Sequence, residues 1–259
     1  MQRELFALLI LIATPSLAAP LIATDQTQRI DLSSSAPDTP WRIQRFDPKI
    51  PATRFRALTW DGLNAIESVA DGSMALLVRP IDQALTETPV LCWRWRIDAS
   101  LKTADMATRA GDDYAARVYV AFRLHAEDVG FATRTKLRIA RAIYGNAVPD
   151  AAINYVWDNR YPIGTVKPNA YTDRTQMIVL RSGDALANSW VTERRDVLAD
   201  LEKLFGTGTP ATAFIAIGSD TDNTQEHARA GFADIQLVAR DLPCAFAPPR
   251  QPGNGEALR

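Results

Sequence analysis

The sequence predicts a mainly β fold, an antiparallel jelly-roll β-sandwich with two short helical insertions. About eight or nine short segments alternate apolar and polar residues or form brief apolar runs, as strands do. Only two segments show helical periodicity, whereas a parallel α/β fold would need a helix between most pairs of strands. The chain has 259 residues, 47% of them hydrophobic, which is enough apolar material for one sizeable core.

The N-terminus has the pattern of a signal peptide for export. Arg3 precedes an apolar run over residues 5–13, and small residues follow as a cleavage site. An uncleaved membrane anchor is the alternative, but the run is short for a bilayer and is interrupted by Pro15. We therefore expect a cleaved signal peptide at residues 1–19 and a polar leader at 20–40. The mature protein is expected to be periplasmic or secreted, without a membrane span.

The rest of the chain is predicted to form a single β-sandwich domain over residues 41–242, followed by a flexible proline-rich tail over residues 243–259. The net charge of −1 provides no overall field that would attract nucleic acid or an anionic membrane. Export would allow Cys92 and Cys244 to form a disulfide that holds the tail against the sheet. The alternative is two free thiols, and the sequence leaves both open because it does not give the Cα separation.

The strands are predicted at residues 28–32, where the polar leader is only a candidate for one edge strand, and then at residues 41–46, 65–69, 74–78, 90–98, 115–124, 153–157, 176–181, 213–217 and 231–238. Asp71 and Gly72 predict a hairpin between the third and fourth of these, because such a turn requires positive φ. Segment 90–98 is the clearest strand, since it alternates between a core face and a face outside the core. The core face carries Leu91, Trp93, Trp95 and Ile97, and the other carries Cys92, Arg94, Arg96 and Asp98.

Two segments, residues 132–144 and 192–205, are predicted to be helices from their apolar spacing. The first carries four basic residues, for which a solvated helix face is a better explanation than an anionic partner. They are Arg134, Lys136, Arg138 and Arg141. The second is predicted to begin with Thr192 as its cap and to end at Gly206.

Five short stretches carry a family resemblance when they are taken together. They are GDDYAARVYV at residues 111–120, YVW at 155–157, NAYTDR at 169–174, ERRDV at 193–197 and SDTDNT at 219–224. In this combination the chain, from about residue 41 to 238, resembles the uncharacterised bacterial domain-of-unknown-function family 3047. That family brings no established activity. The resemblance implies a fold similar to galactose-binding-like and other jelly-roll carbohydrate modules, which favours sugar binding.

An oxygen-rich turn after an apolar strand is the first candidate site. Asp220, Asp222 and Asn223 supply hard oxygen ligands, which makes Ca²⁺ a candidate cofactor. The favoured alternative is an Asx-rich turn whose side chains bond their own backbone. Tyr171 and Asp173 form a further candidate, in a loop that enters a strand. Tyr171 could line a pocket there, although a structural turn is again the favoured alternative.

The polar faces of strands 90–98 and 115–124 form another candidate site, with two carboxylates just before the second strand. Its residues are Arg94, Arg96, Arg117, Tyr119, Asp112 and Asp113. If the two strands are neighbours, these residues make a groove of forked donors and an aromatic ring, suited to an acidic glycan. The alternative is an interlocked Arg–Asp network on a solvated or covered sheet face.

These sites lead to the hypothesis of an exported, non-catalytic protein that binds carbohydrate or another cell-envelope polymer. One alternative is a glycan-active hydrolase or lyase, in which Asp112 or Asp113 works with Asp220 or Asp222 as acid and base. The other is a protein-interaction module in envelope assembly. The sequence shows neither a nucleophilic serine motif nor a phosphate-binding loop, so serine hydrolases and nucleotide-binding enzymes are disfavoured.

Overall fold

The computed structural model describes residues 28–29, 41–81, 85–144, 148–207, 209–246 and 248–249. The predicted signal peptide, nearly all of the predicted leader and the end of the predicted tail lie outside the described residues. The strands are β1 (Gln28–Arg29), β2 (Arg42–Gln44), β3 (Arg54–Trp60), β4 (Leu63–Asp71), β5 (Leu76–Ile81), β6 (Val90–Ile97), β7 (Tyr114–Leu124), β8 (Ala151–Asp158), β9 (Val166–Asn169), β10 (Thr172–Ser182), β11 (Val191–Asp196), β12 (Pro210–Asp220) and β13 (His227–Val238). The helices are α1 (Phe131–Tyr144) and α2 (Val197–Phe205).

The strands form two sheets that pack face to face. The six-stranded sheet has the order β11-β6-β13-β4-β3, with β1 paired to β13, and the seven-stranded sheet has the order β2-β5-β12-β7-β8-β10-β9. Among the described residues every strand pair is antiparallel except β8 and β10, which are parallel. The predicted jelly-roll β-sandwich with two helical insertions is confirmed, with α1 between β7 and β8 and α2 between β11 and β12.

Aromatic side chains from both sheets meet at the centre of the core. Trp93 of β6 lies 5.5 Å from Tyr155 of β8, and Trp95 lies 5.6 Å from Trp157, measured between ring centroids. All four residues are at most 1% exposed. The predicted core face of β6 is therefore confirmed, and large rings supply much of the apolar area that holds the sheets together.

The other face of β6, predicted to lie outside the core, is also buried. Every residue of the strand is buried, including Arg94 and Arg96. Phe246 covers the guanidinium of Arg94 at 5.0 Å, and Trp60 covers that of Arg96 at 4.4 Å. Residues distant in sequence thus form a second layer over this face of the six-stranded sheet.

A disulfide joins Cys92 to Cys244, with 5.9 Å between their Cα atoms, so the alternative of two free thiols is wrong. The bond holds the chain after β13 against the outer face of β6, where Leu242 and Phe246 pack with Val90 and Val238. Cys244 and Phe246, which the sequence assigns to the flexible tail, are part of this packed layer.

Two Asp-Gly pairs form turns, and the pair that was predicted to close a hairpin does not. Asp71 and Gly72 were predicted to close a hairpin, but β4 and β5 lie in different sheets, so this prediction is wrong and the turn carries the chain between sheets. The two-residue hairpin turn is Asp61-Gly62, between β3 and β4, with φ of 49° and 77°. Positive φ at both positions is what such a hairpin requires.

The predicted helix over residues 192–205 is wrong in its first part, because β11 occupies Val191–Asp196 and pairs with β6. Helix α2 begins at Val197, and its cap is Asp196, whose carboxylate accepts a hydrogen bond from the Ala199 amide. It ends at Gly206, as predicted, in the left-handed conformation. Within the described residues, neither helix is long and apolar enough to cross a membrane.

Gly231 of β13 passes beneath two tryptophan rings, and a methyl group added there would lie 2.8 Å from Trp190 and 3.1 Å from Trp60. Gly231→Ala is expected to lower the free energy of unfolding by about 1–3 kcal/mol, because packed rings must move. Gly130→Ala is the matched control, since its methyl group would meet no atom within 4 Å. Urea denaturation compares the two variants, and equal midpoints would contradict the prediction.

Candidate functional site

Three separate parts of the sequence meet at one edge of the seven-stranded sheet. They are the loop that enters β7, the turn between β9 and β10, and the turn that follows β12. Because β7 and β12 are hydrogen-bonded neighbours, with Tyr114 opposite Asp220, the start of one strand lies beside the end of the other. We call the carboxylates gathered there the acidic edge, defined as Asp112, Asp113, Asp220 and Asp222.

Asp113 connects two of these segments. Its carboxylate accepts hydrogen bonds from the backbone amides of Asn223 at 3.1 Å and Thr224 at 2.6 Å, and from the Asn223 side-chain amide at 3.0 Å. The turn after β12 is therefore held by a carboxylate from the loop that enters β7. The favoured sequence interpretation, an Asx-rich turn whose side chains bond their own backbone, does not include this contact.

The carboxylates of Asp113, Asp220 and Asp222 lie close enough to share one ion. One oxygen from each is within 4.8 Å of the other two. Oxygens that coordinate a single Ca²⁺ at about 2.3–2.6 Å are separated by at most about 5 Å, so the spacing fits. The hydroxyl oxygen of Thr224 is buried on the same turn, with no hydrogen-bond partner among the described residues.

Arg117 forms an ion pair with this cluster. Its Nη2 atom lies 2.9 Å from Asp220 Oδ2, and both residues are only 2% exposed. Burial raises the pKa of Asp220 well above its usual range, and Asp113 and Asp112 add to the effect, while Arg117 opposes it. Burial and the charge of Asp113 also raise the pKa of Asp222. Charged carboxylates are thus disfavoured at the acidic edge unless a further positive charge is present.

Asp112 is held by a separate set of hydrogen bonds. It accepts from the Tyr114 hydroxyl at 2.9 Å and from the Asn169 side-chain amide at 2.8 Å. Burial raises the pKa of Asp112, although Arg117 and these two donors oppose the shift. Tyr114 and Asn169 were not among the predicted site residues, although both lie in stretches that carry the family resemblance.

Tyr171 is the exposed aromatic residue at this site, with 54% of its surface accessible. Its hydroxyl donates to the Arg109 carbonyl at 3.2 Å and lies 3.3 Å from Asn223 Oδ1. The Arg109 guanidinium lies 5.1 Å from the ring centroid. The structure therefore brings Tyr171 to the turn that follows β12, whereas Asp173 is exposed on β10 and takes no part in these hydrogen bonds.

The structure does not form the predicted groove of Arg94, Arg96, Arg117 and Tyr119. β6 and β7 lie in different sheets, so the condition that these strands are neighbours is not met. Arg94 lies 3.2 Å from Asp234, and Arg96 pairs with Asp61. Their location corresponds to the alternative interpretation, that of a covered Arg–Asp network.

Arg117 and Tyr119 remain together on β7, beside the acidic edge. The guanidinium lies 5.2 Å from the Tyr119 ring centroid and 5.7 Å from that of Tyr114. Burial raises the pKa of Tyr119 to about 12. Because Arg117 is buried against Asp220 and two rings, it neutralises charge inside the protein and does not present an open donor fork to a ligand.

The two sheets and their shared core define this chain as a jelly-roll β-sandwich protein. A model of the DUF3047 family, described as proteins of unknown function, matches residues 39–236. The chain belongs to this family, which confirms the resemblance inferred from the five stretches. No curated protein matches the chain.

Three solved structures are similar to the chain at low identity. The xyloglucanase domain of NopAA from Sinorhizobium fredii, in complex with cellobiose, is 10% identical, with 77% of this chain and 93% of that chain covered and a TM-score of 0.40. The family 11 carbohydrate-binding module of a Clostridium thermocellum cellulase is 8% identical, with coverages of 82% and 94% and a TM-score of 0.36. Trichoderma harzianum endoglucanase 3, of family GH12, is 8% identical, with coverages of 84% and 97% and a TM-score of 0.38.

Proposed function

We propose that this protein is an exported, non-catalytic binding protein for carbohydrate, and that its binding site is the acidic edge together with Tyr171. A calcium ion bound by Asp113, Asp220 and Asp222 would form part of the site. The observation that carries the proposal is the convergence of these three carboxylates, within 4.8 Å of one another, at a loop edge that also holds an exposed aromatic ring.

The charge balance supports the cation. Four carboxylates gather at the acidic edge, and among the described residues one guanidinium, that of Arg117, forms an ion pair with them. Buried negative charge without a counter-charge is costly, and a divalent ion with oxygen ligands offsets that cost. The buried Thr224 hydroxyl is a further oxygen on the same turn. The ion could be completed by water or by ligand hydroxyl groups.

The surroundings of the acidic edge support a carbohydrate ligand. Sugar rings present C–H groups that pack on aromatic faces and hydroxyl groups that need planar, paired hydrogen-bonding partners. Tyr171 offers a half-exposed ring, and Asn223 and Asp222 lie partly exposed on the adjacent turn. Vicinal sugar hydroxyls are also oxygen ligands that could replace water on a calcium ion.

The same geometry weighs against catalysis by Asp113 and Asp220. Both are at most 2% exposed, and their nearest oxygens are closer than the separation of about 5–5.5 Å in retaining glycosidases or about 6.5–9.5 Å in inverting ones. A glycan-active enzyme remains the second candidate, using Asp112 and Asp222. It is favoured by the raised pKa of Asp112, because a general acid must hold its proton near neutral pH.

A glycan array with the purified protein tests the proposal, in the presence of Ca²⁺ and again with chelator. Binding is expected to fall about tenfold or more with chelator, because the ion is removed, and in Asp222→Asn, because one of its carboxylate ligands is lost. Tyr171→Ala is expected to lose a similar amount, because the ring contact is removed. Phe46→Ala, which removes an equally exposed ring elsewhere, is the matched control and should bind normally.

Each outcome of this experiment is informative. A blank array under both conditions would overturn carbohydrate binding. Glycan binding that is insensitive to chelator and to Asp222→Asn would overturn the cation. Release of shortened glycans by the wild-type protein, abolished in Asp112→Asn, would replace the binding function with the enzymatic one.

A further inference from the structure

We propose that helix α1 is a docking surface for the anionic face of a lipid bilayer. The proposal is independent of the acidic edge. It rests on which side of the helix is packed, which side is exposed, and where the basic residues lie between them.

One side of α1 is fixed to the protein core. Leu137 is 5% exposed and belongs to the main hydrophobic cluster. Thr133 and Arg141, four residues before and after it, lie on the same side and are half-buried. This attachment sets the orientation of the helix, so the opposite side faces away from the domain.

The opposite side presents two large apolar residues to solvent. Phe131 is 79% exposed, the highest value of any large hydrophobic residue among those described, and Ile139 is 57% exposed. These residues are eight positions apart, with the exposed Thr135 midway, so all three lie along one stripe. Leaving two such side chains in water is unfavourable unless another surface covers them.

The charges on α1 match an anionic surface. The helix contains four basic residues and no Asp or Glu. Arg141 is paired with Asp150 at 2.5 Å, whereas Arg134, Lys136 and Arg138 are exposed, and none of them forms an ion pair with a described residue. At 100° per residue, Arg134 and Arg138 flank the apolar stripe on one side and Lys136 flanks it on the other. An apolar stripe between basic flanks is typical of helices that lie in a membrane interface.

The combination of an apolar stripe and basic flanks on α1 favours a bilayer over an acidic polymer as the partner. A soluble polyanion would attract the three free basic residues but would leave Phe131 and Ile139 in water. A bilayer interface offers phosphate groups to the cations and acyl chains to the apolar stripe. It is therefore the partner that satisfies both features of the same helix side.

The position of α1 also sets what a docked protein would present outward. The helix follows the end of β7, whereas the acidic edge adjoins the beginning of the same strand. At about 3.3 Å per residue, an 11-residue strand spans about 35 Å. A protein held to a membrane by α1 would therefore keep its acidic edge well away from the lipid surface.

Co-sedimentation with vesicles tests the proposal, comparing phosphatidylcholine alone with phosphatidylcholine containing phosphatidylglycerol. The wild-type protein is expected to bind the anionic vesicles and to be released by salt. Phe131→Ser with Ile139→Ser, and separately Arg134→Gln with Lys136→Gln and Arg138→Gln, should each weaken binding about tenfold or more. All proteins compared carry the same N-terminal segment, so its contribution is common to them.

The matched control is Ile43→Ser with Phe46→Ser, which removes an isoleucine and a phenylalanine that are 54% and 55% exposed elsewhere on the protein. It should bind as the wild type does. Circular dichroism should show the same thermal unfolding midpoint for the wild type and for all of these variants. Failure of the wild type to bind anionic vesicles would overturn the proposal. The proposal would also be overturned if vesicle binding survived the Phe131 and Ile139 substitutions and the protein bound a soluble polyanion equally well. That result would indicate an acidic polymer as the partner.

Discussion

Replacing both Cys92 and Cys244 with alanine is expected to lower the free energy of unfolding by about 3–5 kcal/mol. The bond joins residues 152 positions apart, and a long closed loop restricts the unfolded chain strongly. It also holds Phe246 over Arg94, so its loss loosens the layer that covers the outer face of β6. Urea denaturation of the oxidised wild type and the double alanine variant measures the difference.

Reductant provides the control for this prediction. It should lower the unfolding midpoint of the wild type towards that of the double alanine variant, and it should leave the variant unchanged. A variant that unfolds at the same urea concentration as the oxidised wild type would show that the bond contributes nothing to stability.

Arg117→Met is expected to lower the free energy of unfolding by about 3–5 kcal/mol, because it leaves Asp220 buried without its counter-charge. Methionine fills much of the space of the arginine stem, so the effect reports mainly on charge. Adding Asp220→Asn should recover most of the loss, because the amide is neutral and can still accept the hydrogen bond from the Tyr114 amide. Thermal unfolding in chelator, where a bound cation cannot contribute, measures both variants.

Arg240→Met is the matched control for Arg117, since it removes an arginine from an exposed ion pair with Asp196. No measurable change in the unfolding midpoint is expected, because solvent screens such pairs. If Arg117→Met behaved like this control, or if Asp220→Asn failed to rescue it, the pair would not be the stabilising contact that the structure indicates.

The positions of strands were predictable from the sequence where one face of the strand packs in the core. They were less predictable for strands without such a face. Segment Val90–Ile97 alternates because Trp93 and Trp95 pack against the opposite sheet. Its second face is covered by Trp60 and Phe246, which come from distant parts of the chain, and no local pattern indicates such a cover. The edge strand β11 is mostly polar, so the helical pattern that follows it was extended too far.

The candidate site was predictable only in its local parts. Asp220, Asp222 and Asn223 share one turn, so their oxygen content is visible in the sequence. Asp113 joins them because β7 pairs with β12, and strand order is a tertiary property that composition and spacing do not contain. The predicted groove of Arg94, Arg96, Arg117 and Tyr119 was wrong for the same reason, because it required β6 and β7 to be neighbours within one sheet.

The position of β13 has a consequence for how the protein reaches its fold. Although β13 is the last strand along the described chain, it lies between β4 and β6, in the interior of the six-stranded sheet. Until residues 227–238 have been synthesised, β4 and β6 lack the strand to which both are hydrogen-bonded. Pairing β13 with them closes long loops, and the entropy cost of closing those loops slows the step. The β3–β4 pair and the β6–β11 pair can therefore join into one sheet only after β13 has been synthesised. A chain that lost this strand would display two open sheet edges, the surfaces through which β proteins aggregate.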